Sequence, residues 1–165
     1  MIPLQRTRRI PRPPLALLLM LTALTSPCCK NVTAPDPALG PAAVLKNQAG
    51  RQWTVTLELA ITPEQQQKGL MWRWSLEPGH GMLFIYQKPA EHVFWMRNTR
   101  IPLDMIFIGP DQKIAGIVEN AEPYTDTSRF VDAPSQWVLE VAGGQAKAHG
   151  LQAGDQVYFF NLGDK

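Results

Sequence analysis

Gln52-Trp-Thr-Val-Thr-Leu-Glu-Leu-Ala-Ile61 is the stretch that decides the fold. Trp53, Val55, Leu57 and Leu59 alternate with Thr54, Thr56 and Glu58, a period of two that puts apolar side chains on one face of a strand. Upstream, Ala43 to Asn47 forms a second apolar segment, separated from the first by Gln48-Ala-Gly-Arg51, and the two read as a β-hairpin. Downstream, Thr62-Pro63-Glu64-Gln65 combines an N-cap, a proline at the first helical position and a capping box, so a short helix is expected over Glu64 to Trp72.

Further strands are expected at Met82 to Tyr86, His92 to Arg97, Asp104 to Gly109 and Lys113 to Val118. Lys88-Pro89, Ile101-Pro102 and Gly109-Pro110-Asp111 punctuate them, and the last marks a hairpin turn. Trp137 to Val141 and Gln156 to Phe160 complete the set, with a helical turn or so within Gly143 to Gly150. The pattern predicts a mainly β domain, an antiparallel sandwich or barrel of seven to eight short strands with one or two short helices.

Six motifs occur in order: Gly69-Leu-Met-Trp-Arg73, Gly81-Met-Leu-Phe84, Phe94-Trp-Met-Arg-Asn-Thr99, Ile101-Pro-Leu-Asp104, Val138-Leu-Glu140 and Gly154-Asp155. Together they closely resemble the bacterial and archaeal family called domain of unknown function 192, over roughly Val44 to Phe160. The resemblance implies a compact, mostly β domain, often exported, with no activity attached.

Of 165 residues, 45% are hydrophobic and 18% charged, which excludes a disordered polyelectrolyte and fits one globular core. The formal charge of +2 misleads, because Arg6, Arg8, Arg9 and Arg12 belong to an amino-terminal segment. Removing those four from the 16 basic residues leaves 12 against 14 acidic ones, a net of −2. Nucleic acid is therefore not an expected partner, since displacing counterions takes a basic face.

The four arginines precede an uncharged apolar run, Leu15 to Leu24, the length of a signal-peptide core and too short to span a bilayer. Cys28 and Cys29, the only two cysteines, follow it side by side, which excludes a disulfide framework. Their position resembles the lipidation site of bacterial lipoproteins, although Pro27 stands where that pattern prefers a small residue. The expected organisation is an export signal over 1–27, a proline-rich tether over 28–42 and a single β-rich domain over 43–165. A membrane surface, reached through a lipid on Cys28 or Cys29, is the expected partner. The expected location is the cell envelope, as a periplasmic or outer-membrane lipoprotein. The alternatives are a soluble secreted or periplasmic protein and an uncleaved anchor.

With no cysteine after Cys29, thiol catalysis and cysteine-rich zinc sites are excluded from the domain, and no phosphate loop or zinc-protease motif occurs. Arg97-Asn98-Thr99-Arg100 followed by Asp104 is the densest polar cluster, and Arg73 and Glu140 sit in the other motifs. In one reading Asp104 accepts hydrogen bonds from turn amides and Glu140 pairs with an arginine. In another, Arg73, Arg97, Asn98, Asp104 and Glu140 line a pocket for a small polar ligand or glycan, with Trp74 and Trp95 as stacking rings. A third makes the two carboxylates those of a hydrolase acting on an envelope glycan. Alternation predicts Phe94 and Met96 inward, Val93 and Trp95 outward. His80, His92 and the methionines could suit copper(I), but core packing accounts for the methionines, so no metal or other cofactor is expected.

Overall fold

The computed structural model describes residues 32–163, so the export segment, Cys28 and Cys29 lie outside the described residues. Seven strands form one sheet: β1 (Ala42–Lys46), β2 (Gln52–Ala60), β3 (His80–Ala90), β4 (Leu103–Ile108), β5 (Ile114–Ala121), β6 (Ser135–Ala142) and β7 (Gln156–Phe160). Two short helices, α1 (Pro63–Lys68) and α2 (Gln145–Ala148), follow β2 and β6. The order across the sheet is β5-β4-β6-β3-β2-β1-β7.

Every neighbouring pair is antiparallel except β2 and β3, which run parallel. The expectation of a wholly antiparallel sheet is corrected there. The link between those strands is α1 and the loop after it, a crossover that returns the chain to the end where β2 began. At one end the two edge strands meet: Ile114 N–H donates to Asp155 O at 2.9 Å and Val157 N–H to Gln112 O at 2.8 Å. The sheet thus curls into a half-barrel.

The curl creates two cores. The inner one takes residues from all seven strands, including Leu45, Val55, Leu83, Ile106, Ile114, Leu139 and Val157, and α2 plugs one end with Ala146. The outer one, built from Met82, Phe84, Met105, Phe107 and Val138, is covered by the chain between α1 and β4 through Leu70 and Met96. β4 is consequently buried along its whole length, so no polar alternation appears in its sequence.

The expected strand at His92 to Arg97 forms only an isolated bridge, Phe94 with Arg129. Its alternation is real, with Met96 fully buried and Val93 and Trp95 exposed. It lies over the outer face of the sheet and takes its backbone partners from the loop before β6. The end of the expected tether is fastened to the domain: Leu57 N–H donates to Pro41 O at 2.8 Å and Asn161 Nδ2 to Gly40 O at 3.1 Å.

Candidate ligand pocket

α1 begins with the capping box read from the sequence. Thr62 Oγ1 accepts from Gln65 N–H at 3.3 Å while Gln65 Oε1 accepts from Thr62 N–H at 2.9 Å. It ends at Lys68, short of the expected Trp72, because Gly69 takes a φ of +47° and its N–H closes on Gln65 O. The side-chain amide of Gln66 donates to Ile85 O at 2.9 Å and Ala60 O at 3.3 Å, tying the helix to β2 and β3. The turn after the helix then drops Leu70 into the outer core.

Opposite that turn, Phe94 meets Phe84 and Phe107 edge to face at 5.0 and 5.8 Å. This anchors the loop after β3 and aims Val93 and Trp95 at the turn. Between the two lies a cavity of about 180 Å³, walled by Leu70, Phe84, Tyr86, Phe94 and Trp95, with Glu140 at its floor and Gln67 and Lys68 at its mouth. An adjoining groove of about 350 Å³ shares Lys68, Met71 and Trp95 and runs on to Arg97 and Asn98.

Glu140 is only 4% exposed. Its strand neighbours opposite are Met82 on β3 and Met105 on β4, both on the same face and both in the outer core. Among the described residues neither carboxyl oxygen has a hydrogen-bond or ion-pair partner. Burial alone pushes this carboxyl up to about 8, so at neutral pH it is mostly the uncharged acid. Burial, with a smaller contribution from the Glu140 charge, drives the Tyr86 hydroxyl to about 12. A β-carbon on Gly69 would crowd the Phe84 ring at 3.2 Å and lie in ordinary contact with Glu140 Oε2 at 3.8 Å.

The other candidates scatter. Asp104 is fully buried, with Oδ1 accepting from Asn120 N–H at 2.7 Å and Gly144 N–H at 3.0 Å, and Oδ2 from Ala146 N–H at 2.8 Å. It follows the parity of Ile106 and Ile108 and faces the inner core, whereas Glu140 follows Val138 and faces the outer one. The two carboxylates thus lie on opposite sides of the sheet, and Asp104 is not joined to Asn98. Nor does Glu140 pair with an arginine. Arg73 forks onto Glu58 at the surface with both terminal nitrogens, one contact being 2.7 Å. Trp74 is 81% exposed, its ring 3.6 Å beneath the Arg100 guanidinium. Arg97 bonds Asp126 at 2.8 Å and lies 4.8 Å over Trp95.

Only Trp95 and Glu140 of the sequence candidates reach the cavity, and Trp95, Arg97 and Asn98 line the groove beside it. Lys68, Leu70 and Tyr86 went unread. The signal for them was Glu140 itself, a lone carboxyl in the apolar run Trp137 to Val141 that something has to face. His80 opens β3 and His92 follows its end, so the two imidazoles are held a strand's length apart. Among the described residues no three acidic, histidine or cysteine side chains gather as a metal site.

The model of domain of unknown function 192, described as Uncharacterized ACR, matches residues 44–159. The chain belongs to this family. A Sinorhizobium meliloti 1021 protein of known crystal structure, described as a candidate transcription regulator, is 38% identical over 74% of this chain and 95% of its own, with a TM-score of 0.71. A Novosphingobium aromaticivorans DSM 12444 protein of unknown function, also solved by crystallography, is 40% identical over 71% of this chain and 83% of its own, with a TM-score of 0.68. No curated protein matches.

Proposed function

We propose that this family member is an exported, lipid-anchored envelope module that binds a small ligand in the cavity above Glu140. The observation that carries the binding reading is the carboxyl itself: it is 4% exposed, has no protein partner among the described residues, and reaches the surface only inside an aromatic-lined cavity, where an entering ligand can supply a partner. Export and anchoring are supported by the arginines, the apolar run and the cysteine pair in the sequence.

The hydrolase reading has less support, because acid–base cleavage of a glycan needs two carboxyl groups roughly 5 to 9.5 Å apart about the scissile bond. Among the described residues Glu140 is the only carboxyl lining the cavity, Glu64 lines the adjoining groove, and Asp104 is on the other side of the sheet. The Sinorhizobium protein is described as a candidate transcription regulator, but the net charge of −2 beyond the first four arginines gives this chain no electrostatic attraction to nucleic acid.

Two measurements test the two parts. Replacing both Cys28 and Cys29 by Ser should abolish fatty-acid labelling and release the protein from bacterial membranes, and unchanged fractionation would remove the anchor. Val93→Trp, at an exposed position on the cavity wall, should fold normally and fill the site. Ligand-observed NMR should then show small polar compounds binding the parent and not the variant. Equal binding to both would place the ligand elsewhere.

A further inference from the structure

We propose that the occupant of the cavity is a methylated ammonium group, held against the aromatic side chains of Tyr86, Phe94 and Trp95 that line it and neutralised by Glu140. This rests on the reading of the cavity as a binding site and names the chemistry that site selects. The choice follows from which polar groups remain available. The Gln66 amide is spent on Ile85 O and Ala60 O, and the Thr99 hydroxyl bonds Arg97 O at 3.4 Å. Among the described residues Glu140 is then the one carboxyl in the lining, with Leu70, Phe84, Phe94 and Trp95 in its apolar part and Gln67, Lys68 and the Tyr86 hydroxyl as the remaining polar groups.

A sugar would bring hydroxyls against Leu70, Phe84 and Phe94, which can pair with none of them. A divalent cation needs about six oxygen ligands and would find one carboxylate. A primary ammonium would bring three N–H donors to a single acceptor group and strand part of them. A quaternary or tertiary alkylammonium has a full charge, an apolar surface and few or no donors to satisfy, and ring faces attract it. The cavity is of a size for such a head group and not for a polymer.

The charged and titratable groups around the cavity are Tyr86 on β3 and Lys68 on the last turn of α1, with His92 stacked behind Tyr86 at 3.5 Å, Arg97 over Trp95 at 4.8 Å and paired with Asp126, and Glu64 in the adjoining groove. Met82 and Met105 on the adjoining strands carry no charge. A cation entering the site requires Glu140 to release its proton to solvent, so binding and ionisation are coupled. Lys68 at the mouth repels a cation and would attract an anion, which gives its removal a sign that tells the two apart.

The experiment titrates the full-length protein with tetramethylammonium, using tert-butanol as an uncharged probe of similar size. Tetramethylammonium should bind at least about tenfold more tightly than tert-butanol, and Glu140→Gln should remove that preference. Lys68→Gln should strengthen cation binding a few-fold. Between about pH 6.5 and 8, above the range of His92, affinity should rise by up to about tenfold per pH unit with release of one proton. Phosphatidylcholine and phosphatidylglycerol vesicles separate the sources: retention on the first that Glu140→Gln abolishes identifies a lipid head group, and binding of free tetramethylammonium without it identifies a soluble one. Equal binding of tert-butanol, or a Glu140→Gln variant that keeps the cation, overturns the inference. If neutral probes bind and Val93→Trp blocks them, the cavity remains a binding site without the cation. If no probe binds, both readings fall.

Discussion

Replacing Glu140 by Gln should remove a pH dependence of stability that the rest of the domain does not produce in the same range. The carboxyl has an ordinary value of 4.5 and is pushed up to about 8 by burial in the outer core. Between those values the folded protein keeps a proton that the unfolded chain gives up. Stability is therefore at its fullest below the unfolded value and falls as pH rises through the window, by about 1.4 kcal/mol per pH unit, levelling off near the folded value. From about pH 6.5 to 8 the parent should lose about 2 kcal/mol, which for a domain of this size lowers Tm by roughly 5 to 10 °C. Burial lowers His92 and His149, and their contribution has the opposite sign, but it ends near the ordinary imidazole value of 6.5. Tyr86, up at about 12, titrates beyond the window. Urea unfolding of parent and Glu140→Gln at several pH values above the imidazole range measures the difference. Two parallel profiles, or a parent whose stability rises across the window, would refute an uncharged, unpartnered carboxyl at this position.

Three further substitutions separate scaffold from site. Asp104→Ala strands the amides of Asn120, Gly144 and Ala146 and should cost about 3 kcal/mol or more in urea unfolding, whereas a loss below about 1 kcal/mol would mean water replaces the carboxylate freely. Arg73→Ala breaks a surface ion pair with Glu58 and should change stability by no more than about 1 kcal/mol, with a larger thermal shift pointing to a packing role for the arginine stem. Glu140→Met, between two methionines on the same face, should gain about 1 to 4 kcal/mol at neutral pH while losing the ligand, and a destabilised variant would show that the carboxyl supports the fold.

The sequence was most legible where one face of a strand meets water. β2 announces itself because Thr54 and Glu58 alternate with Val55 and Leu57, and β7 fell within its expected limits. The α1 capping box was equally plain, since it is made from residues three apart. The strands of the sheet centre were found as apolar runs, but burial on both faces erases the alternation that would tell which residue faces which core. Asp104 and Glu140 therefore read as neighbours in a polar cluster, although strand parity sends them to opposite sides. The parallel pairing of β2 and β3 was hidden for another reason: it depends on the path of the chain from Gly69 to Gly79, which no local pattern specifies.

The contrast between those two acids assigns their roles. Both are almost completely buried, in adjacent strands of the same sheet. Asp104 meets three backbone donors that the β5 end and the start of α2 would otherwise leave unpaired, so folding itself accounts for a carboxylate there. Glu140 meets none, and its neighbours are the kind of side chains that an apolar residue would pack against with a gain in stability. A fold selected for stability alone has no use for a carboxyl at that point. Met82 and Met105 flank it on the adjoining strands, and the cavity it lines is bordered by Leu70, Tyr86, Phe94 and Trp95. That combination gives the acid a direction from which a partner can arrive, and it is what supports reading the cavity floor as a binding position.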